Sequence, residues 1–292
     1  MTKIFLTGCT GFLGLSITDC FLGTGCEVWS LSRFPQPPRP HLHAVQGDIR
    51  TFTPPEIGFD YAIHGASDVG HGSIAKSGTY GDSTTTVAGT RNLLAGLNVR
   101  QGVYLSSGAV YGPEVPCHVT EHQPLAPAPG YGTWKVEAEQ ACASKGWIIA
   151  RLFSFIGPGI PLTGKFAAGN FLRDALDGGP IHMLGSPGVL RGYLDAGELA
   201  TWLSTMLIRG RPGRAYNVGS RTPTTMMELA ETIARMTGTQ VVYARPPAPS
   251  SVPVFVPSTE RALAELRLSQ HVSLGESLRR TLIWATRQEV CP

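Results

Sequence analysis

The chain has 292 residues, of which 42% are hydrophobic and 15% are charged, enough to bury a sizeable core as one large domain or two small ones. Its formal net charge of +3 comes without a run of basic residues, so we expect no nucleic-acid partner, although this small excess suits an anionic substrate. The six cysteines show no CxxC pair and no metal-ligand spacing, which predicts reduced thiols in a cytoplasmic protein and no metal site. Because no apolar run approaches the ~20 residues that cross a bilayer, we expect no membrane span. The N-terminus has one lysine and then a predicted strand with functional glycines, so we expect no signal peptide.

The N-terminal segment predicts a strand, a tight turn and the start of a helix. An apolar run ends in Gly8, Gly11 and Gly14, at the spacing GxxGxxG, and an amphipathic stretch follows over residues 13–22. The first glycine lets the chain turn, the second lets the backbone approach a pyrophosphate, and the third lets the helix lie close to the strand. The N–H groups at the start of the helix favour an anion. This context favours dinucleotide binding over a tight turn without a ligand.

The second predicted strand, residues 25–33, ends where the ribose of a bound dinucleotide would lie. Sites that prefer NAD usually place an acidic residue there, which accepts a hydrogen bond from the ribose 2′-hydroxyl. This chain has Ser32 and Arg33 instead, and an arginine can pair with the 2′-phosphate of NADP. We therefore favour NADP(H). NAD(H) remains the alternative, in which Arg33 is an exposed residue before the proline-rich loop 34–40.

Strand-like runs and helical periodicity alternate through the first half of the chain. This is the βαβ pattern of a doubly wound parallel sheet with helices on both faces. Residues 70–81, rich in Gly, Ser and Lys, are predicted to be a mobile loop. Further strands are predicted at residues 45–49, 59–66, 102–107 and 147–153, and further helices at 84–97 and 131–144.

Beyond residue 159 the alternation becomes irregular. We expect a dinucleotide-binding domain over residues 1–158 and a mainly substrate-binding α/β portion over 159–292, part of which returns to the sheet. In this portion the sequence predicts short strands at 181–184, 215–218 and 240–243, helices at 170–176, 196–207, 226–236 and 274–287, and a proline-broken connector at 246–257.

A tyrosine and a lysine at the head of a predicted helix suit hydride-transfer chemistry. Tyr131 and Lys135 are four residues apart and so share one helical face, and Ser107 ends the strand before them. A tyrosine is a poor base because its unperturbed pKa is about 10. We expect the Lys135 ammonium and the positive nicotinamide ring to lower the pKa of Tyr131 and favour the phenolate. Ser107 would hold the substrate oxygen against Tyr131, which makes these three residues the predicted catalytic set.

Several short motifs together point to a known family. They are TGCTGFLG at 7–14, GDI at 47–49, HGA at 64–66, SSGAVYG at 106–112, Tyr131 with Lys135, and Arg151 with the glycine and proline at 157–158. Over nearly the whole chain the sequence resembles the extended short-chain dehydrogenase/reductase family, in its nucleotide-sugar epimerase, dehydratase and reductase branch. The resemblance implies a Rossmann-type doubly wound sheet with a smaller C-terminal α/β portion. Together with the glycine and Arg33 arguments, it predicts these cofactor-binding residues: Gly8, Thr10, Gly11, Phe12, Leu13, Gly14, Ser32, Arg33, Asp48, Ile49, Ala66, Tyr131 and Lys135.

The same resemblance implies a nucleoside-diphosphate sugar as the substrate. Residues 191–195 resemble the family segment whose arginine holds the substrate diphosphate, a role that suits a guanidinium group. In the alternative, Arg191 pairs with Asp195 for structure. The other candidates for substrate contacts are Ser107, Ser154 and Asn170, with Phe166 and Phe171 as possible neighbours of the nucleotide.

Departures from the family pattern narrow the reaction. Sugar 4,6-dehydratases and the related decarboxylases carry Thr-Asp-Glu or Thr-Ser-Glu where this chain has Ser107, Gly108 and Ala109. Without those carboxyl groups no acid–base pair is evident for the elimination of water, so dehydration is disfavoured. Thr86 and Ser154 stand where the family usually has asparagine, which leaves the proton relay and the substrate pose open.

We therefore expect an enzyme that reduces a nucleotide-linked 4-keto sugar with NADPH, with Tyr131 as the proton donor. The alternative is a 4-epimerase that keeps NAD bound, oxidises C4 and returns the hydride to the other face of the ring. A non-enzymatic dinucleotide sensor is a second alternative, disfavoured because Tyr131 and Lys135 are both present. As in the resembling family, the helices at 84–97 and 131–144 would form the interface of a homodimer.

Overall fold

The computed structural model describes residues 1–67, 83–164, 166–243 and 253–290. The predicted loop at 70–81 and part of the predicted connector at 246–257 lie outside the described residues. The strands are β1 (Lys3–Thr7), β2 (Glu27–Ser32), β3 (Leu42–Gln46), β4 (Phe59–His64), β5 (Val99–Ser107), β6 (Ile148–Leu152), β7 (Ser154–Ile156), β8 (Ile181–Met183), β9 (Leu190–Arg191), β10 (Tyr193–Asp195), β11 (Ala215–Val218), β12 (Thr224–Thr225), β13 (Val241–Tyr243) and β14 (Val254–Phe255).

The helices alternate with these strands in the first half of the chain, as the βαβ pattern predicts. A π-helical turn at Thr84–Ala88 precedes the second helix, and a 3-10 turn at Gly108–Tyr111 follows β5. The α-helices are α1 (Phe12–Gly23), α2 (Gly89–Gly96), α3 (Tyr131–Ser144), α4 (Ala167–Leu176), α5 (Ala196–Arg209), α6 (Met226–Thr237), α7 (Glu260–Leu266) and α8 (Leu274–Val290).

Seven parallel strands form the central sheet, in the order β11-β6-β5-β4-β1-β2-β3. The first three strands run outward in one direction and β4 begins on the other side of β1, so the strand order reverses between β1 and β4. The carboxyl ends of strands at such a switch point border the crevice in which open α/β sheets bind their ligands. The structure thus confirms the Rossmann-type doubly wound sheet, and β11 is the part of the C-terminal half that returns to it.

Helices cover both faces of the sheet, because its inner strands are apolar on both sides. On one face α1 and α5 pack with buried side chains such as Ile17 and Leu203. On the other face α2 and α3 pack through Leu93 and Ala138. These layers hold the carboxyl edge of the sheet, where the candidate site lies.

The C-terminal part has a second core, around Leu172 of α4, Ile233 of α6 and Leu278 of α8. Short strands pair in three small sheets that are separate from the central one: β7 pairs with β10, β8 with β13, and β9 lies between β12 and β14. Arg191 ends β9 and Ser154 begins β7, so both lie where the C-terminal part meets the sheet. Within the described ranges, no helix is both long and apolar enough to cross a membrane.

The predicted position of the third strand, 45–49, was wrong, because β3 spans Leu42–Gln46. The Gly47 N–H donates to the Ser32 carbonyl at 2.9 Å, and the Asp48 carbonyl then accepts from the N–H groups of Thr51 and Phe52, at 3.0 and 2.7 Å. These bonds form a turn instead of extending the strand. Asp48 therefore follows β3, beside the crevice.

The predicted helix at 84–97 is divided into the π-helical turn Thr84–Ala88 and α2. The Thr90 hydroxyl donates to the Thr86 carbonyl. Threonine hydroxyls that bond back to the helix backbone in this way compete with its regular hydrogen bonds, and this segment has several threonines in succession.

Two elements were not predicted near the C-terminus. Within the predicted connector at 246–257, β14 pairs in parallel with β9; this pairing joins residues distant in sequence, which local patterns do not reveal. The helix α7 was also missed, although Thr259 before it and Glu260 in its first turn are N-terminal signals.

Candidate active site

The turn between β1 and α1 is built by glycines with different roles. Gly8 has a φ of +74°, and a Cβ there would lie 2.6 Å from the Gly65 carbonyl carbon. A Cβ on Gly14 would lie 2.2 Å from the Gly8 carbonyl oxygen, so neither position accepts a side chain without a backbone shift. On Gly11, the nearest atom to a Cβ would be that same oxygen, at 3.3 Å. Gly8 and Gly14 are therefore required by the fold, whereas Gly11 leaves room for a ligand.

The start of α1 supplies backbone donors to the same turn. Gly11 is the N-cap and provides no side-chain cap, so the first N–H groups of the helix have no intrahelical acceptor and favour an anion. The side chains that follow do not face this anion position. The Phe12 ring stacks on Phe155, with centroids 5.0 Å apart, and Leu13 is buried in the sheet core. Of the predicted cofactor residues, Phe12, Leu13 and the buried Gly14 can thus contribute only their backbone.

A groove of about 370 Å³ runs along the carboxyl ends of β1, β2 and β4. The glycine turn, as far as the N-cap Gly11 of α1, forms one wall, so an anion bound there would lie beside the helix N-terminus. Eight of the predicted cofactor residues line it: Gly8, Thr10, Gly11, Ser32, Arg33, Asp48, Ile49 and Ala66. Seven further lining residues were not predicted: Thr7, Leu31, Phe34, Gly47, Gly65, Ser67 and Thr85.

The outer lip of the groove carries charged groups of both signs. Arg50 Nε donates to both carboxylate oxygens of Asp48, at 3.0 and 3.1 Å, and these bonds lower the pKa of Asp48 to about 2. Arg33 is exposed, and its Cζ lies 5.7 Å from the centroid of the Phe34 ring. The acidic group at this lip is therefore already paired with Arg50, while Arg33 directly follows β2 with its guanidinium in solvent.

The floor of the groove rests on a buried hydrogen-bond network. Thr7 Oγ1 accepts from the N–H groups of Gly65 and Ala66, at 3.2 and 3.1 Å, so its own hydrogen goes to Nδ1 of His64, at 2.6 Å. Nε2 of His64 then carries the ring proton and donates to Thr90 Oγ1 at 2.7 Å. Burial lowers the pKa of His64 to about 3, so the ring is neutral. This network fixes the backbone that ends at Ala66.

Ser107, Tyr131 and Lys135 come together at the carboxyl end of β5. The side chain of Ser107 lies near the Tyr131 phenol and acts to lower the pKa of that phenol. Lys135 Nζ donates to the Leu105 carbonyl at 2.7 Å and lies 5.7 Å from the centroid of the Tyr131 ring. Ser107 Oγ also accepts from the Ala109 N–H at 3.2 Å. The structure thus assembles the predicted catalytic set, with Ser107 and Lys135 held by backbone groups.

Burial governs the protonation of this set. It raises the pKa of Tyr131 to about 12, against the opposing effect of the Ser107 side chain, and lowers the pKa of Lys135 to about 8. The expected lowering of the Tyr131 pKa is therefore wrong for the protein alone, because the loss of solvation outweighs the stabilisation of the phenolate. At neutral pH Tyr131 is a neutral phenol, which is a proton donor, and Lys135 is an ammonium.

The Lys135 ammonium is held by aromatic rings and a carbonyl. Its Nζ lies 4.9 Å from the centroid of the fully buried Tyr104 ring. The nearby carboxylate of Glu139, one helical turn on, is taken by Arg151, whose Nε and Nη2 donate to its two oxygens at 3.0 and 2.8 Å. This buried ion pair joins α3 to β6 and fixes the helix that carries Tyr131 and Lys135.

A second cavity, of about 680 Å³, lies in the C-terminal part. The predicted substrate residues Asn170 and Arg191 both line it, and they are joined there by Arg173 and His182, which were not predicted. Ser154 is not part of the lining, but its Oγ accepts from Arg191 Nη1 at 3.5 Å. Two guanidinium groups and an amide thus meet in one cavity, but Arg173 Nη2 donates to the Asp174 carboxylate there at 2.7 Å, which leaves Arg191 as the arginine better placed for phosphate oxygens.

Two further expectations for the substrate side have clear outcomes. No ion pair joins Arg191 to Asp195: the Asp195 carboxylate caps α5 through the N–H groups of Gly197 and Glu198, at 2.9 and 3.1 Å. The structural pairing considered for Arg191 is therefore wrong. Phe171 lines the second cavity, whereas the Phe166 ring packs edge-on against Phe12, with centroids 6.2 Å apart.

Comparison with known proteins identifies the family. Residues 4–219 match the NAD dependent epimerase/dehydratase family, which spans most of the chain and includes both the glycine turn and the catalytic set. The chain belongs to this family. Its members are nucleotide-sugar epimerases, dehydratases and reductases with a NAD-type dinucleotide as cofactor, in keeping with the groove described above.

Similar proteins within the family carry out different reactions. The chain is 28% identical to a GDP-6-deoxy-D-mannose reductase of Pseudomonas aeruginosa, over 84% of each chain, and 27% identical to a UDP-glucose 4-epimerase of Streptomyces lividans, over 81% of each. The fold matches the Bacillus cereus UDP-glucuronic acid 4-epimerase, solved with UDP-glucuronic acid and NAD, with a TM-score of 0.84 at 18% identity, over 98% of this chain and all of that one. Family membership therefore establishes the class of enzyme and leaves the reaction to the residues of this chain.

Some residues of the groove and of the second cavity were not predicted by the sequence analysis. Thr7 and His64 carried a usable signal, because each is the last residue of a strand that ends at the crevice. Thr85 had no such signal, since it lies in a π-helical turn that the periodicity did not predict. Arg173 and His182 reach the second cavity from α4 and β8, and only the packing of the C-terminal core brings them beside Arg191.

Proposed function

We propose that this protein reduces a nucleoside-diphosphate 4-keto sugar with NADPH. The observation that carries the proposal is the position of Arg33, which lines the groove at the end of β2. A site that prefers NAD would have an acidic residue there, which accepts a hydrogen bond from the ribose 2′-hydroxyl. Among the described residues that line the groove, the one acidic group is Asp48, and it is paired with Arg50. A guanidinium is the group that binds a 2′-phosphate through paired hydrogen bonds.

The residues of the catalytic set have roles suited to this reduction. The bound cofactor supplies the hydride to the keto carbon. The Ser107 hydroxyl and the Tyr131 phenol would hold the substrate oxygen, and the Tyr131 O–H would give it the proton that completes the alcohol. The phenolate left on Tyr131 would be stabilised by the Lys135 ammonium. Because the pKa of Tyr131 is raised to about 12, the phenol is loaded with its proton at every physiological pH.

The second cavity supports a nucleotide-linked substrate. Arg173 and Arg191 both face it, and the Arg191 guanidinium also contacts Ser154 Oγ. A guanidinium group binds phosphate oxygens through paired hydrogen bonds, so we assign the substrate diphosphate to Arg191, with Arg173 beside it and paired with Asp174. Asn170, whose Nδ2 donates to the Gly164 carbonyl at 3.0 Å, is the neighbouring candidate for contacts with the nucleotide.

The second candidate function is a 4-epimerase with tightly held NAD. It is favoured by the similarity to the UDP-glucose 4-epimerase of Streptomyces lividans and by Ser107 with the small residues after it, an arrangement that would serve oxidation and reduction at C4 equally. In that case Arg33 would have no phosphate to bind.

The cofactor content of the purified protein separates these functions. The protein is denatured, and any released dinucleotide is identified by chromatography; apoprotein is then titrated with NADPH and NADH. We expect little retained NAD and tighter binding of NADPH. Stoichiometric NAD in the isolated protein, with no preference for NADPH, would contradict the reductase and support the epimerase.

We also propose that the protein is a homodimer. The helices α2 and α3 lie side by side, with Arg91 and Glu137 3.9 Å apart on their outer surface, and two such pairs can form a four-helix interface. Light scattering coupled to gel filtration tests this directly. We expect twice the chain mass of 31.2 kDa, and a single-chain mass would refute the proposal.

A further inference from the structure

A closed loop follows β2 and carries Arg33. The Gln36 side chain bonds back to Ser30 in two ways: Gln36 Nε2 donates to the Ser30 carbonyl at 2.8 Å, and Ser30 Oγ donates to Gln36 Oε1 at 2.6 Å. Ser30 is fully buried in β2. Gln36 lies between Pro35 and Pro37, whose rings fix φ on either side of it. We call this pair of hydrogen bonds the Ser30–Gln36 clamp. It ties Gln36, on the far side of Arg33, back to the strand that precedes the loop.

The loop is also tied to the rest of the groove from within. Ser32 Oγ accepts from the Phe34 N–H at 3.1 Å and donates to Thr10 Oγ1 of the glycine turn at 3.4 Å. The Arg33 carbonyl accepts from Gln46 Nε2, at the end of β3, at 3.2 Å. The backbone that carries the Arg33 side chain is thus held on three sides before any ligand arrives.

The Arg33 side chain itself is held loosely. It is exposed, lies over the Phe34 ring at 5.7 Å, and forms no ion pair within the described part of the chain. Phe34 is 64% exposed although it is a large apolar residue, and it lines the groove beside Arg33. The ring flanks the guanidinium on one side, and the fixed backbone at Arg33 sets the point from which the exposed side chain reaches the groove.

We propose that Gln36 is a positioning residue for cofactor selection, through the clamp that presets the Arg33 backbone for the 2′-phosphate of NADPH. This inference rests on the proposed use of NADPH. Gln36 does not line the groove, so it acts through Arg33 and not by touching the cofactor. Preorganisation of this kind strengthens binding because the loop need not be ordered when the ligand arrives.

The clamp has a selective consequence. NADH carries no 2′-phosphate, so it gains nothing from the direction of Arg33. Breaking the clamp would therefore weaken NADPH binding and spare NADH binding, whereas a general loss of structure would weaken both. The ratio of the NADPH and NADH dissociation constants therefore distinguishes a positioning role of Gln36 from a merely structural one.

The test is a fluorescence titration of apoprotein with NADPH and with NADH, for the wild type and Gln36→Ala, Gln36→Met, Arg33→Ala and Gln240→Ala. Gln36→Met keeps the length of the side chain without its amide, and Gln240 is an exposed glutamine remote from the groove that serves as the control. Thermal unfolding shows that each variant is folded. If Gln36→Ala does not fold, Gln36→Met carries the test.

We expect both Gln36 variants to raise the dissociation constant of NADPH about tenfold and that of NADH less than about twofold, which is the scale of one charge-assisted contact. Arg33→Ala should have the larger effect in the same direction, and Gln240→Ala none. If Arg33→Ala lowers the NADPH preference but the Gln36 variants leave it unchanged, the clamp is refuted and the proposed function stands. If the wild type shows no NADPH preference, both are refuted.

Discussion

At the scale of single residues, the proposed reaction depends on the phenol of Tyr131. Replacing it by Phe removes the proton donor and leaves the ring over which Lys135 lies. We expect Tyr131→Phe to lower kcat about 100-fold or more, with the dissociation constant of the dinucleotide changed less than twofold. Steady-state kinetics and a dinucleotide titration measure the two quantities.

The control for this variant is Tyr243→Phe, which removes an exposed phenol that contacts Met227 away from the groove. Neither quantity should change in it. Full activity of Tyr131→Phe would remove Tyr131 from the proposed chemistry. Dinucleotide binding without any turnover in the wild type would instead support the dinucleotide sensor.

Lys135 sets the pH dependence of the reduction. Burial lowers its pKa to about 8, whereas Tyr131 keeps its proton up to about 12. The ammonium that stabilises the phenolate is present below pH 8 and is lost as the pH rises through that value. We therefore expect kcat to be level below about pH 8 and to fall above it.

The matched variant is Lys135→Arg, because a guanidinium keeps its charge at high pH. If this variant retains activity, its falling limb should move to higher pH. A wild-type profile that instead rises above pH 8 would show that the rate-limiting step needs a base, which contradicts Tyr131 as the donor and favours an oxidation step.

At the scale of elements, the strand–turn–helix unit at the N-terminus contains one glycine that the fold requires and another that we expect the dinucleotide to approach. A Cβ at position 14 would lie 2.2 Å from a backbone oxygen, while one at position 11 has 3.3 Å. We expect Gly14→Ala to lower the free energy of unfolding by about 3 kcal/mol. Gly11→Ala should change it by no more than about 1 kcal/mol and weaken dinucleotide binding about tenfold.

Urea unfolding and a dinucleotide titration on both variants check this pair. The comparison is internal, since both changes add one methyl group to the same turn. Equal destabilisation by the two would show that Gly11 is also required by the fold, and unchanged binding in Gly11→Ala would show that the ligand does not approach that glycine.

The same elements show how far local patterns predict structure. The glycine turn and the bounds of α3 were predicted, because turn glycines and a run of strong helix formers such as EAEQA at 137–141 are local signals. β3 was misplaced because it is an exposed edge strand, half-buried only at Leu42 and Val45, and so lacks the apolar run of the inner strands. β14 and its pairing with β9 depend on contacts across the chain, which no short window contains.

At the scale of the whole molecule, the sheet and the C-terminal core supply different halves of the candidate site. The groove and the catalytic set lie on the carboxyl ends of the sheet strands, which the motifs predicted from their order in the sequence. The second cavity is made by α4 and by β8 and β9, and its Arg173 and His182 could be found only once these elements were packed together. The β7–β10 pairing and the contact of Arg191 with Ser154 join the two halves.

The protonation of Tyr131 belongs to this scale as well. From the sequence, the neighbouring lysine predicted a lowered pKa. The structure reverses the direction because the sheet, α3 and the loops around them remove water from the phenol, and desolvation depends on the whole fold. The sequence predicted the position of Tyr131 but not its protonation state in the protein alone.

The central claim is that the protein consumes NADPH to reduce a nucleotide-linked keto sugar. The most direct measurement is the stoichiometry of NADPH oxidation when the purified protein is mixed with nucleoside-diphosphate 4-keto sugars, followed by absorbance and by mass spectrometry of the product. We predict one NADPH oxidised for each sugar reduced, with the product gaining two hydrogen atoms. Conversion of a nucleotide sugar to its C4 epimer, with no NADPH consumed and NAD retained by the protein, would contradict the account.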